Sequence, residues 1–427
     1  MKGLFTAVAF LFIFGSCKES GVELSKPSTF VKYLSDGLQD QAIDVLETSD
    51  KGYLILAHSD SSNGHGGIYI IKTDLSGNTL WETSFRKSGN DLSPSNFVAM
   101  KDTSGNDLEY VIVGTILNAK FGARLYVMRI KSDGAFKDSI SYYTTGKLGD
   151  ATNYRKGQND QGAYVIGKGV AQSANLTKDI FVIGQVVQHD LVTSVPTDIN
   201  GKGGDMYFVQ INGKTLDTVF TKIYGAGTSN LANRLFLDNT QTSAYWGGTR
   251  TDGQGTHVRF INSGFNSQLT NFDLPYPTGQ SGYKGNDISP YGYGFSIVGN
   301  DLAGKNIVLV SVGSEGNELR PMINLPSDNS SIIQISGNSV CSTLDGGLLV
   351  LGTNAVDAQG TNTDYTLIKL DGSGAQSWER THGGKYLDVG VKVLQSSDGG
   401  YVVLGTTTLA NVKTVFFMKA DSQGNIQ

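Results

Sequence analysis

The sequence is poor in most of the features that announce a chemistry. Its two cysteines, Cys17 and Cys341, leave no internal disulfide once one of them is modified. Charged residues make up only 17% and the formal net charge is -5, so there is no basic footprint for nucleic acid. Proline is scarce at 8 residues, whereas glycine reaches 55, about 13% against a usual ~7%. That balance suits many tight turns between short strands and excludes a disordered chain. The longest apolar run, Leu4 to Phe14, is too short to span a bilayer as a helix.

Compact catalytic and metal motifs are also absent. Five histidines are present, and none has a metal-binding or catalytic spacing. His58 and His65 flank a glycine-rich loop and His382 sits in a Thr-His-Gly-Gly turn, so all three are expected in loops or at the surface. Gly64 to Gly67 and Gly201 to Gly204 lack a Walker pattern, and no G-x-S-x-G occurs. Asp74, Asp371 and Asp421 each open an Asp-x-x-Gly turn with too few oxygens for a calcium loop; tight hairpins need the same residues. Cys341 aligns with Leu46 and Leu394 as a buried strand position, where a free cysteine acts as a small hydrophobe. No catalytic, cofactor or metal residue is singled out, and the expectation is a noncatalytic protein.

The chain opens Met1, Lys2, the apolar run to Phe14, then Gly15, Ser16 and Cys17. Residues 1–16 read as a signal peptide. Small residues before a cysteine resemble the lipobox of bacterial lipoproteins, although Phe14 departs from the usual leucine. The resemblance implies lipid attachment at Cys17, a tether over 17–27 and a membrane anchor in which each buried CH₂ contributes ~0.8 kcal/mol. Lys18, Glu19 and Ser20 resemble the short signal that sends Bacteroidetes lipoproteins to the cell surface. The expected location is therefore the outer face of the outer membrane, with the periplasmic face as the alternative.

Repetition is what the chain has in abundance. Asp40 to Asp60, DQAIDVLETSDKGYLILAHSD, and Gly66 to Trp81, GGIYIIKTDLSGNTLW, alternate β-rich runs with turn clusters. The same layout returns as CSTLDGGLLVLGT (Cys341 to Thr353), DYTLIKLDGSGAQSWERTHGG (Asp364 to Gly384) and DVGVKVLQSSDGGYVVLGT (Asp388 to Thr406). Tyr401 follows its counterpart Leu348 by 53 residues. Weaker copies lie between, giving seven. In the third, both Gly162 to Val170 and Asp179 to Val187 read as a second strand, so an insertion is expected over about 168–204. Four short strands per copy of about 50 residues predict an all-β fold, a seven-bladed propeller of four-stranded antiparallel blades occupying 28–427 as one domain.

The final copy stops at Gln427, one residue short of the tryptophan position held by Trp81 and Trp378. Tyr53 matches Tyr401 and Asp40 matches Asp388 at an offset of 348, which carries Trp378 back onto Phe30. Ser28 to Gly37 is therefore expected to supply the missing strand of blade seven, with Phe30 in the tryptophan's place, and to hold that blade nearest the membrane.

These residues resemble the DGGY-type propeller repeats of secreted and lipid-anchored Bacteroidetes proteins. Asp74-x-x-Gly77-x-x-x-Trp81 and Asp371-x-x-Gly374-x-x-x-Trp378 also resemble the tryptophan-docking motif of quinoprotein-like propellers. Neither resemblance fixes a function. The expected role is that of a scaffold or binding subunit of an envelope complex for assembly, secretion or nutrient uptake, with an outer-membrane protein complex as partner. The alternatives are a glycan-binding or glycan-active propeller, or a quinoprotein-like one. Asn271 to Gly294 reads as a second interruption, and its Tyr276, Tyr283, Tyr291 and Tyr293 are candidate contacts for a protein or glycan partner. Replacing Cys17 with alanine should move the protein from the membrane fraction to the soluble one; acyl labelling retained in that variant would refute the anchor.

Overall fold

The computed structural model describes residues 29–426, apart from 62–63, 119–121, 145–153, 157–163, 174–177, 188–204, 225–228, 239–241, 265–269, 327–333 and 358. Cys17 and the expected signal peptide and tether lie outside the described residues. Seven antiparallel sheets follow one another along the chain. Blade 1 comprises Gln39–Glu47, Tyr53–Asp60, Gly66–Thr73 and Thr79–Phe85. Blade 2 comprises Asp91–Lys101, Asp107–Asn118, Gly122–Lys131 and Phe136–Thr144, with Tyr154–Lys156 as a fifth strand. Blades 3 to 6 begin with Tyr164–Gln172, Ser229–Leu237, Tyr283–Tyr291 and Gln334–Ser342, and blade 7 begins with Asp388–Gln395. Each begins at the axis, and the first strand of blade 7 returns to that of blade 1. The fold is the expected seven-bladed propeller.

Blade 7 takes its outer strand from the other end of the chain. Phe30–Leu34 pairs antiparallel with Val412–Ala420, Phe30 opposite Lys419 and Leu34 opposite Val415. Phe30 is buried, its ring 5.0 Å from that of Phe417, which in turn meets Tyr53 of blade 1 at 5.4 Å. Phe30 also performs the tryptophan's task. A Cβ on Gly134 in blade 2 would meet Trp81 at 2.8 Å, and one on Gly424 in blade 7 would meet Trp378 at 2.7 Å. On Gly77 in blade 1 it would meet Phe30 at 2.6 Å. In each case an outer-strand aromatic ring covers the turn glycine of the next blade.

The repeat's signature is structural. Asp50, Asp345 and Asp398 pair with Lys72, Lys369 and Lys419, lysines of the third strands, at 2.9, 2.8 and 2.5 Å. The glycine after each aspartate's neighbour is required by close approach: on Gly347 a Cβ would lie 2.1 Å from the Leu370 carbonyl oxygen. Asp74 and Asp371 spend Oδ1 on their own turns, accepting from the N–H of Ser76 and Asn78 at 2.8 Å, and of Ser373 and Ala375 at 2.8 and 3.0 Å. Turn chemistry, not cation binding, accounts for them.

Two expected interruptions are corrected. Both runs of the third unit are strands of blade 3: Tyr164–Gln172 is its first and Ile180–Val187 its second. Neither run is therefore an inserted strand, although 188–204 of the expected insertion lies outside the described residues, and the glycines that obscured the first strand mark a bulge at Gly167/Gly169. Residues 271–294 likewise contain the outer strand of blade 4, Thr270–Tyr276, and the first strand of blade 5. Pro275 is tolerated there because an outer strand has no neighbour needing its N–H.

The two rims of the ring differ. Hairpins joining first to second and third to fourth strands, such as 48–52, 74–78, 343–347 and 371–375, are tight turns on one rim, where the equivalent 421–425 turn also lies. The opposite rim joins second to third strands and blade to blade, and the longest connections, including 188–204, start and finish there. Phe30, opposite Lys419 beside the 421–425 turn, enters the ring from the tight-turn rim. Phe30→Ala should lower unfolding free energy by about 3 kcal/mol, measured in urea, whereas Phe30→Trp should stay within about 1.5 kcal/mol of the parent.

Candidate functional site

The first strand of every blade is broken by a β-bulge at the same place. The residue before it is small or proline: Ala42, Pro94, Gly167, Ala232, Gly285, Gly337 and Gly390. The reason is steric, since a Cβ on Gly285 or Gly337 would lie 2.6 Å from a carbonyl oxygen of the preceding blade. Bulges re-aim side chains. Here they bring Asp44, Asn96, Arg234, Asp287, Ser339 and Lys392, from six different blades, together on the axis.

These side chains form one buried network. Arg234 Nη2 lies 2.8 Å from Asp44 Oδ2, and its Nη1 lies 4.0 Å from Asp287 Oδ1. Asn96 donates to Asp44 Oδ2 at 2.5 Å and accepts from the N–H of Val170 in blade 3 at 3.1 Å. Asp287 Oδ2 accepts from Lys392 at 2.5 Å, from the Ser339 hydroxyl at 2.7 Å and from the Val340 N–H at 3.3 Å. All seven blades are thus tied at the axis. Burial pushes the Asp287 carboxyl up, but Lys392 and Arg234 beside it hold it below the usual carboxylate range. Burial lowers the Lys392 ammonium, reinforced by the Arg234 charge and opposed by Asp287 and Asp44.

The network separates two cavities. Toward the long-connection rim lies a vestibule of about 450 Å³, walled by Ser93, Ser95, Asn96, Lys168, Asn233, Asn286 and Asn338, with Ile43 and Val391 on one side. Toward the tight-turn rim lies a funnel of about 570 Å³ that is more apolar, with Leu46, Phe97, Leu235, Ile288, Val340 and Leu394 among its walls. Cys341 lines that funnel, and burial pushes its thiol up to about 12, which makes it a weak nucleophile.

The four tyrosines are dispersed. Tyr276 is buried and its hydroxyl donates to the Gly316 carbonyl. Tyr291 is half-buried, donates to the Gly372 carbonyl at 3.1 Å and lies under Arg320 at 4.8 Å. Tyr283 is half-buried against the blade 4–5 core, and Tyr293 is 97% exposed on the tight-turn rim. None lines the vestibule. His65 is exposed, but His58 is a largely buried strand residue, its Nε2 3.7 Å from both Asp60 and Asp91. His382 ends the outer strand of blade 6, stacked on Tyr365 with ring centroids 5.6 Å apart. The loop assignment of these two is corrected: β-alternation continues through both positions. Among the described residues no three His, Cys, Asp or Glu side chains are grouped to hold a metal ion.

The axial residues escaped sequence reasoning because they share no residue type. Their signal was positional: Gly285-Asn286-Asp287, Gly337-Asn338-Ser339 and Gly390-Val391-Lys392 repeat a small residue, then a bulge, then a polar group.

No family model matches the chain, and no curated protein does. Among solved structures it is similar to the GH93 α-L-arabinofuranosidase of Fusarium graminearum in complex with arabinobiose, at 11% identity and a TM-score of 0.48 over 93% of this chain and 98% of that one. It is also similar to a mutant Trypanosoma rangeli sialidase displaying trans-sialidase activity, at 11% identity and a TM-score of 0.40, over 78% of this chain and 59% of that one. Likeness at this level transfers no residue or reaction, and the fold rests on the seven sheets themselves. It does correct the expectation of a noncatalytic protein: both of these are enzymes, so the architecture gives no ground for excluding catalysis.

Asp287→Asn should cost about 3 kcal/mol at neutral pH, because it leaves Lys392 buried without its counter-charge. The Asp287 contribution is present above the unfolded carboxylate value, about 3.9, and is lost as pH falls through its depressed folded value. Urea unfolding should therefore show the gap between parent and variant closing below about pH 4.

Proposed function

We propose that the protein is a glycan-recognising propeller, tethered through Cys17 to the outer membrane and facing outward, with the axial vestibule as its binding site. The observation that carries this reading is the vestibule: a concave space of about 450 Å³ whose walls are mostly amide, hydroxyl and charged groups. That volume falls within the ~300–1,000 Å³ of small-molecule sites, but the polar lining is unlike their usual apolar one. An apolar ligand would strip water from these groups and replace none of their hydrogen bonds, at a cost of roughly 1–3 kcal/mol each. A hydroxyl-rich ligand replaces them.

Orientation supports the same reading. The chain reaches Phe30 on the tight-turn rim, so an anchor upstream of it would hold that rim toward the membrane. The vestibule opens on the opposite rim, away from the anchor. Asp287, held ionised by Lys392 and Arg234, would serve such a site as electrostatic support, not as a proton donor.

The test is a glycan array probed with the purified protein and with Ser95→Trp, whose indole would fill the vestibule from the blade 2 bulge. Selective retention or cleavage of glycans by the parent, lost in a variant of unchanged melting temperature, supports the proposal. Recognition that survives Ser95→Trp, or no recognition at all, overturns it.

A further inference from the structure

Three of the seven bulge residues are asparagines in consecutive blades, Asn233, Asn286 and Asn338, and all three line the vestibule. Each spends its amide N–H₂ on the next blade. Asn233 donates to the Gly285 carbonyl at 2.5 Å, Asn286 to Gly337 at 2.8 Å and Asn338 to Gly390 at 2.5 Å. Asn286 donates also to Asn300 Oδ1 at 3.0 Å, and Asn338 to Thr353 Oγ1 at 2.7 Å. These bonds fix the side-chain orientation, and among the described residues no donor reaches the three Oδ1 atoms. A side-chain amide whose nitrogen is committed to the scaffold is a preorganised acceptor.

From this we infer that Asn233, Asn286 and Asn338 form a crescent of fixed acceptors that reads hydroxyl donors along one edge of a neutral sugar. The inference rests on the vestibule being the glycan site and goes further in naming what the site reads. The rest of the wall is mixed: Ile43 of blade 1 and Val391 of blade 7, neighbours in the ring and both half-buried, have no polar side-chain atoms, whereas Ser95 of blade 2 and Lys168 of blade 3 do. A pyranose has the matching asymmetry, with hydroxyls around its edge and C–H groups on its faces. The hydroxyl edge lies on blades 4 to 6 and a C–H face lies on Ile43 and Val391.

The probes are the best-retained neutral oligosaccharide of the array and its mono-O-methylated derivatives, titrated by calorimetry. Methylation removes a donor and keeps the oxygen. At least one mono-O-methyl derivative should bind about tenfold more weakly, as expected for the loss of roughly 1.4 kcal/mol. Asn286→Leu should weaken the parent sugar by a similar factor and erase the distinction from the methylated derivative. Asn300→Leu, which removes an acceptor for the Asn286 amide outside the vestibule and leaves Oδ1 in place, should change affinity less than threefold. If Asn286→Leu does not fold, Asn338→Leu takes its place. Binding blocked by Ser95→Trp yet indifferent to methylation and to the asparagine variants overturns the crescent and leaves the glycan site standing. Absence of any bound glycan overturns both.

Discussion

Everything in this structure depends on closing the ring. A four-stranded blade has two apolar faces and cannot bury both alone, so each must be covered by a neighbour. The array has no natural end until blade 7 meets blade 1. Five residues from the start of the chain, Phe30–Leu34, complete the last sheet and so join residues nearly four hundred positions apart. The connector that follows is stitched to blade 1: Ser59, Ser84 and Arg86 all donate to the Asp36 carboxylate, at 3.0, 3.1 and 3.4 Å. Closure covers the exposed face, and the added strand leaves blade 7 with the same short outer edge as its neighbours.

The axis shows what closure makes available. Seven first strands converge where side chains from every blade compete for one small volume, and the bulges decide which residue enters it. Burying four charges there is unfavourable unless each is paired. Arg234 between Asp44 and Asp287, and Lys392 on Asp287, meet that condition. The consequence for function is a polar floor. A propeller with an apolar plug at this level would leave a hydroxyl-rich ligand nothing to bind, whereas here a septum of paired charges underlies a cavity walled by amides.

Legibility in the sequence followed periodicity. The blade number, the outer strand from the start of the chain and Phe30 in the tryptophan's role could all be read because they recur at a constant spacing. Blade 3 misled because Gly167 and Gly169 dilute the alternation of a first strand, and 271–294 misled because tyrosine, proline and glycine resemble a loop when two strands abut across a short turn. The tyrosines singled out there share sequence proximity alone. Tyr276 points into the blade 4–5 core while Tyr293 stands in solvent at the opposite end of a strand.

The sequence by itself determined the architecture, because a propeller is a nearest-neighbour structure and each repeat carries its own strands, turns and packing aromatic. Only the tertiary structure decided the site. Asp44, Asn96, Arg234, Asp287, Ser339 and Lys392 are separated by roughly fifty residues or more from one to the next, and no local pattern marks them as partners. They meet because ring closure brings seven equivalent bulges to one axis, and equivalence of position, unlike equivalence of residue, leaves no motif.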